Sequence, residues 1–188
     1  MDLGRLVARL VIGGLFVGHG TQKLFGWFGG PGIEGTEQMT EALDLQPARP
    51  NALLVGATET AGGAFVALGA ATPAAAAGLI GTMVTAARKV HLSNGFWAAN
   101  GGYEFNVALI AALMALVDAG PGKLSFDAMT GRERKGSNWA LASLATGAAA
   151  SAAVIAIGQR KARPNDIDLR SPEAAAAAND EVAGDPAT

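Results

Sequence analysis

The sequence RKVHLSNGFWAANGGYE, residues 88–104, is the most informative part of the chain because it places charged and histidine side chains between two uncharged runs. Residues 73–87 precede it and residues 105–117 follow it, and both runs are mostly apolar. Charges that stand between such runs are costly in a membrane unless they are paired, hydrated or used for function. The pattern predicts two membrane helices joined by a polar loop over residues 92–102.

The composition is typical of a polytopic membrane protein. Half of the 188 residues are hydrophobic, 16% are charged, and the mean hydropathy is +0.28, whereas a soluble domain carries about 25% charged residues. The chain has no cysteine, which excludes disulfides, zinc–thiolate sites and iron–sulfur sites, and its 2 histidines cannot form a three-ligand metal site without carboxylates. No metal site is therefore predicted. The net charge of −2 gives no basic footprint, so nucleic acid is not expected as a partner.

The other apolar runs complete the prediction of an all-α integral membrane protein. We expect a four-helix bundle with a fifth transmembrane helix, at residues 6–25, 51–71, 73–91, 103–118 and 139–158. A span needs about 20 apolar residues, so the fourth helix is short and the fifth is long enough. In the first helix, Gly14 and Gly18 form a small-xxx-small pattern that allows close helix packing in lipid. The acidic linker 33–50 predicts a short amphipathic helix on the membrane surface.

We divide the chain into a four-helix membrane domain at residues 1–130, a basic loop with the fifth helix at 131–158, and a disordered tail at 159–188. The tail has an alanine run and many acidic residues but nothing that could form a core. An N-terminus inside the cell also places the basic cluster at 132–135 inside, as the positive-inside rule requires, and we favour that orientation. The basic residues at 160–163 would then lie outside if the fifth helix spans, which conflicts with the rule.

The intramembrane charges are predicted to meet at one end of the bundle. In an antiparallel order, the ends of the first and third helices lie beside the starts of the second and fourth. The side chains that fall there are His19, Lys23, Glu59, Arg88, Lys89, His91 and Glu104. Glu59 shares a helix face with Gly56 and Gly63, which are expected to leave room beside its carboxylate. Apart from Arg5 and Arg9, nothing comparable is expected at the opposite end.

This polar cluster has two interpretations, as a ligand-binding site or as a structural element. As a binding site it would take a quinone headgroup or a small sulfur oxyanion, since its cations outnumber its carboxylates. As a structural element it would be a buried salt-bridge network that fixes helix register, with Lys23 and Lys89 extending towards the interface. Haem is the weaker cofactor hypothesis, because it rests only on His19 and His91 lying at one depth on two helices.

Short motifs follow one another in a defined order along the chain. They are GHGTQKLF at 18–25, ETAGG at 59–63, His91, GGYE at 101–104, and GPG at 120–122 followed by Leu124, Ser125 and Asp127. Together, over residues 5–130, they resemble the DoxX family of small bacterial membrane proteins. The resemblance implies a four-helix unit in the bacterial inner membrane and a link to thiosulfate oxidation with quinone as the acceptor. The positions that match the family pattern are His19, Lys23, Glu59, His91 and Glu104.

The leading functional hypothesis is a membrane subunit of a redox system that binds a quinone or a small sulfur species. The residues expected to bind the ligand are His19, Lys23, Arg88 and Lys89. The residues expected to move protons, because histidines and desolvated carboxylates can titrate near neutral pH, are Glu59, His91 and Glu104.

The expected partners follow from the lack of any redox group in the chain itself. Electrons would have to come through partner redox-enzyme subunits, and membrane lipids and a second copy of the chain are the other expected contacts. The alternative is a non-catalytic subunit that anchors a partner enzyme in the membrane. A small transporter with Glu59 as its proton site ranks last, because no internal repeat is evident.

Overall fold

The structure is a computed structural model, and it describes residues 3–162. Its α-helices are α1 (Leu3–Phe25), α2 (Gly32–Ala42), α3 (Ala48–Leu68), α4 (Thr72–Ala86), α5 (Glu104–Ala119), α6 (Phe126–Met129) and α7 (Ser137–Ala162). Short 3₁₀ turns lie at Trp27–Gly29, Leu92–Asn94 and Ala98–Asn100. No strand occurs within residues 3–162, so the all-α prediction is confirmed for this part of the chain.

Three helices, α1, α3 and α7, are long and apolar enough to cross a membrane. The helices α4 and α5 are shorter, with 15 and 16 residues. A π-helical turn, Ala87–His91, continues α4 as far as its predicted end. The apolar helices are therefore present, whereas a four-helix membrane bundle with a fifth span stays a prediction.

The C-terminal end of α7 differs from the prediction. The helix includes residues 159–162, which were predicted to begin the disordered tail. Arg160 and Lys161 lie in its last turn, where positive charge is favourable beside the unpaired carbonyl groups of a helix end. The rest of the predicted tail, residues 163–188, lies outside the described residues.

Glycines bring α1 and α3 into backbone contact. A Cβ on Gly13 would lie 2.5 Å from the backbone oxygen of Gly63, and a Cβ on Gly63 would lie 2.6 Å from that of Gly13. At Gly14 and Gly18, which form the predicted packing pattern, an added Cβ would have no neighbouring atom within 4 Å, so these two glycines make no helix contact within the described chain. The sequence pattern therefore identified the right helix but the wrong face of it.

Among the helices α1, α3, α4, α5 and α7, which we call the long helices, α4 is the most enclosed. Leu79 and Ile80 are 0% exposed and belong to one core cluster with residues of α1, α3, α5 and α7, among them Leu113. On the α7 side, a Cβ on Gly147 would lie 2.6 Å from the backbone oxygen of Ala77. The helix α4 is thus packed between α3, α5 and α7. Its close approach to α7 depends on Gly147, which has no side chain.

The long helices alternate in direction, which gives the molecule two ends. We call the end that holds the start of α1 the proximal end, and it also holds the starts of α4 and α7. Contacts there join Arg9 to Leu124 and Ser143 to Pro73. The other end, called the distal end, holds the last turn of α7, where a Cβ on Gly158 would lie 2.7 Å from the backbone oxygen of Asp44.

Large apolar side chains cover the outer faces of the long helices. Exposed examples are Leu10 and Val11 on α1, Leu53, Leu54 and Phe65 on α3, Phe105 and Val107 on α5, and Leu141 and Ile157 on α7. Soluble proteins rarely leave so much continuous apolar surface in water. Exposed aromatic residues lie at both ends, with Trp27 and Trp97 distal and Trp139 proximal, as is typical of the two membrane–water interfaces.

Candidate functional site

A cavity of about 440 Å³ lies in the distal half of the molecule, with walls from α1, α2, α3, α4, α5 and α7. Most of the wall is apolar. Five of the residues predicted to form a site line it: His19, Lys23, Glu59, Lys89 and His91. The alternating helix directions therefore bring residues from α1, α3 and the end of α4 to one cavity. No group of three or more histidine and acidic side chains within residues 3–162 is placed to hold a metal ion.

Glu59 carries the buried negative charge of the cavity. Its side chain is 4% exposed, and its Oε2 accepts a hydrogen bond of 2.5 Å from Nζ of Lys23, whose side chain is 21% exposed. The pair joins α1 to α3 and satisfies both charges, as a low-dielectric environment requires. This ion pair is the central polar contact of the site.

The expected room beside Glu59 is filled by α1. A Cβ on Gly56 would lie 2.6 Å from the side chain of Leu24, and one on Gly63 would lie 2.8 Å from that of Phe16. These two glycines therefore allow α1 to pack closely against α3 and leave no room for a ligand there. The cavity is also lined by residues of α4, α5 and α7, and by Met39 and Thr40 of α2.

Lys89 and His91 belong to the π-helical turn that ends α4. Such turns are rare and are frequently found at functional sites. The Nδ1 of His91 lies 2.7 Å from the backbone oxygen of Gly101. Because a carbonyl only accepts, Nδ1 carries the hydrogen, and a neutral His91 keeps Nε2 as an acceptor. Lys89 has no carboxylate partner among the described residues, so it is the surplus cation of the cavity.

Arg88 and Glu104 lie outside the cavity lining, unlike the other predicted site residues. Arg88 is exposed. The Oε2 of Glu104 accepts a hydrogen bond of 2.9 Å from the backbone N–H of Ala98, at the start of α5. A carboxylate at a helix N-terminus is favourable, so Glu104 holds the loop onto α5 in this structure.

Other polar residues of the cavity were missed by the sequence analysis. Asn106 is 6% exposed and lines the wall, and its one hydrogen-bond partner among the described residues is the sulfur of Met83 at 3.6 Å. Its position in an apolar run was a usable signal, because buried amides in membranes need partners. Ser151 of α7 accepts a hydrogen bond of 2.8 Å from the hydroxyl of Thr85, and both residues line the cavity. Nothing in the small-residue composition of α7 marks Ser151.

A second buried polar cluster occupies the proximal end. Asp127 is 4% exposed, and its carboxylate accepts hydrogen bonds from Ala71 N at 2.8 Å, Thr72 N at 3.0 Å and Thr72 Oγ1 at 2.9 Å. Arg9 is 1% exposed, donates from Nη2 to the backbone oxygen of Leu124, and interacts electrostatically with Asp127. The Nε and Nη1 of Arg9 have no hydrogen-bond partner within the described chain. The prediction that nothing comparable would be found here is therefore wrong, because the segment after α5 folds back over α4.

The DoxX family model matches residues 4–92. The match confirms the resemblance over the part of the chain that contains α1 to α4 and the π-helical turn. The motifs at 101–104 and 120–122, with α5, α6 and α7, lie outside the matched residues. No curated protein and no solved structure matches the chain. The family match and the three apolar helices together indicate a membrane protein.

Proposed function

We propose that this membrane protein, whose residues 4–92 match the DoxX family model, is a quinone-binding subunit of a membrane redox system. The observation that carries the proposal is the distal cavity, in which a largely apolar wall meets the Lys23–Glu59 ion pair and Lys89. Small-molecule sites are usually apolar, with a few placed polar groups and volumes of about 300–1,000 Å³. The cavity, at about 440 Å³, falls within that range.

A quinone suits the mixed lining better than a sulfur oxyanion does. Its ring has two carbonyl acceptors, for which Lys89 and Asn106 are donors, and its isoprenoid tail matches the apolar wall, which includes Leu54, Leu109 and Val154. A small oxyanion would satisfy the cations but leave most of the apolar wall without ligand contact. Of the two ligand classes expected from the sequence, the quinone is therefore the one we propose.

The proposed chemistry requires both protons and electrons. Reduction of a quinone to a quinol takes two electrons and two protons, one proton for each carbonyl oxygen. Glu59 and His91 are the lining residues proposed to exchange those protons, because a carboxyl group and an imidazole can both accept and donate them. The chain has no cysteine and no redox group of its own, so we propose that a partner redox-enzyme subunit supplies the electrons.

We also propose a multi-pass arrangement in the bacterial cell membrane, with the proximal end in the cytoplasm. Arg5 and the basic cluster at 132–135 are proximal, as the positive-inside rule requires. Arg160 and Lys161 are distal and oppose this orientation.

The test compares two glutamate variants in ubiquinone-1 binding to the protein in lipid nanodiscs. Glu59→Gln should weaken binding about tenfold, equivalent to about 1.4 kcal/mol, because the charge that holds Lys23 is lost. Glu37→Gln is the matched control: it breaks the exposed Glu37–Arg49 pair of 2.9 Å, also at the distal end, but removes no cavity residue. Quinone-dependent turnover in membranes should fall with Glu59→Gln alone, while far-UV circular dichroism stays unchanged.

Equal ubiquinone-1 affinity and turnover in the two variants would contradict the role of Glu59. Thiosulfate is the second probe, and binding of thiosulfate without ubiquinone-1 would favour the sulfur ligand. Native mass spectrometry of gently extracted protein adds an independent measurement. A bound quinone would support the proposal, whereas a stable protein partner without any quinone would favour the anchoring role.

A further inference from the structure

A second open groove, of about 520 Å³, lies at the proximal end between α3, α4, α6 and α7. It shares no lining residue with the distal cavity. Its apolar wall includes Phe65 of α3, Ala74 and Ala77 of α4, and Trp139 of α7. Phe65 and Trp139 are 49% and 40% exposed, so this wall is open on the outer face of the molecule.

Two exposed arginines, Arg132 and Arg134, line the same groove. Neither makes an ion pair among the described residues. The guanidinium of Arg134 lies 5.0 Å from the ring centroid of Trp139, which keeps this charge beside the apolar wall. Arginine matches phosphate because its planar group donates several hydrogen bonds in a fixed geometry.

The nearby carboxylates do not cancel this charge. The oxygens of Asp127 accept from the backbone and hydroxyl groups at the start of α4, and Asp127 also faces Arg9. Glu133 accepts a hydrogen bond of 3.2 Å from Lys135. The groove therefore has a surplus of positive charge and no uncommitted carboxylate for the ammonium group of a zwitterionic lipid.

The groove is elongated, and its positive charge lies at one end. Its α4 residues run from Pro73 to Ala77, about 6 Å along that helix, and its α7 residues run from Trp139 to Thr146, about 10 Å, at 1.5 Å per residue. One end is basic and lies at the predicted membrane surface, and the other is apolar and lies deeper. An anionic phospholipid has the same polarity, since its charged phosphate is joined through glycerol to its acyl chains.

We propose that this groove binds an anionic phospholipid, with its phosphate on Arg132 and Arg134 and an acyl chain along the wall formed by Phe65, Ala77 and Thr146. The proposal depends on the protein lying in a membrane and not on quinone binding. The lipid would tie α7 to α4 at the proximal end.

The experiment is native mass spectrometry of the full chain in detergent, titrated with phosphatidylglycerol or with phosphatidylethanolamine. Phosphatidylglycerol should bind at least tenfold more tightly. The double variant Arg132→Gln/Arg134→Gln should lose about 30-fold in affinity for it, from about 1 kcal/mol per basic residue. Arg160→Gln/Lys161→Gln is the matched control, because it removes two charges from the distal end of α7 and should keep the affinity.

A third variant separates the lipid from a free anion. Thr146→Trp fills the apolar part of the groove, so it should weaken phosphatidylglycerol binding while both arginines remain. Equal affinity for the two lipids, or unchanged phosphatidylglycerol binding in the arginine variant, would overturn the proposal. Inorganic phosphate binding as tightly as phosphatidylglycerol would also overturn it. The proposal would also be overturned if the arginine variant lost a co-purifying protein but still bound the lipid. That result would identify a protein-docking surface instead.

Discussion

The change Asp127→Asn should strongly destabilise the protein, because this carboxylate caps α4 from a distant part of the chain. The residue that precedes α4, Ala71, has φ 45° and offers no side-chain cap of its own. Asp127 replaces that cap by accepting hydrogen bonds of 2.8, 3.0 and 2.9 Å from Ala71 and Thr72, across more than 50 positions of sequence. The stability of the start of α4 therefore depends on a tertiary contact.

The expected loss is about 3 kcal/mol. An asparagine keeps one oxygen and places an amino group against the Thr72 backbone N–H, so that bond is lost, while the Thr72 hydroxyl turns to accept from the amino group. Hydrogen bonds to a charged group contribute about 1.5–3 kcal/mol each, and such losses do not add fully. Arg9 would also lose the negative charge with which it interacts. The control is Asp118→Asn, where the carboxylate accepts one exposed hydrogen bond of 2.9 Å from Ser137, and the expected loss is about 0.5 kcal/mol.

The assay is reversible unfolding in mixed micelles by increasing sodium dodecyl sulfate, followed by circular dichroism. A double-mutant cycle with Arg9→Met tests the electrostatic interaction between Arg9 and Asp127. The loss of unfolding free energy in the double variant should be smaller than the sum of the two single losses by at least about 1 kcal/mol. If Asp127→Asn and Asp118→Asn lowered stability equally, the capping role would be refuted. Additivity with Arg9→Met within about 0.5 kcal/mol would refute the coupling of the two charges.

Two further predictions concern helix packing and orientation. Gly147→Leu should destabilise the protein by about 3 kcal/mol or more, since its Cβ would lie 2.9 Å from the backbone nitrogen of Gly81. The control is Ala145→Leu, at an exposed position of the same helix. Equal unfolding midpoints for the two variants would contradict the predicted contact. The chain has no cysteine, so Met129→Cys and Ser93→Cys report orientation without background labelling. A membrane-impermeant maleimide applied to whole cells should label Ser93→Cys and not Met129→Cys, and labelling from the same side would exclude the proposed multi-pass arrangement.

The sequence predicted the apolar helices and part of the polar cluster, because both depend on local patterns, whereas Arg88 and Glu104 lie outside the cavity. Charges are so costly in apolar runs that their positions along each helix, with alternating helix directions, were enough to place Lys23 and Glu59 at the same end of the bundle. The same reasoning placed His19, Lys89 and His91 near them. Whether these residues bind a ligand is a separate question, and that part stays a prediction.

The contacts that the sequence did not predict depend on which face of a helix meets which neighbour. Gly13 and Gly14 are adjacent in sequence, yet only Gly13 contacts Gly63. A glycine-rich chain offers many such pairs, and no local pattern selects among them. The bond between Arg9 and Leu124 joins residues 115 positions apart, so its existence depends on the complete fold. The π-helical turn at the end of α4 also had no local signature.

The position of α7 links the two proposed sites and also allows them to be tested separately. The proximal half of this helix lines the groove and its distal half, with Ser151 and Val154, lines the cavity. Gly147 lies between the two halves, at the contact with α4. The helix lies outside the matched residues 4–92, so the cavity proposed here requires a part of the chain that the family match does not cover. Changes at Arg132 and Arg134 alter no cavity residue, and a change at Glu59 alters no groove residue. Failure of lipid binding and failure of quinone binding can therefore be told apart, whereas loss of both in Gly147→Leu would follow from displacement of α7.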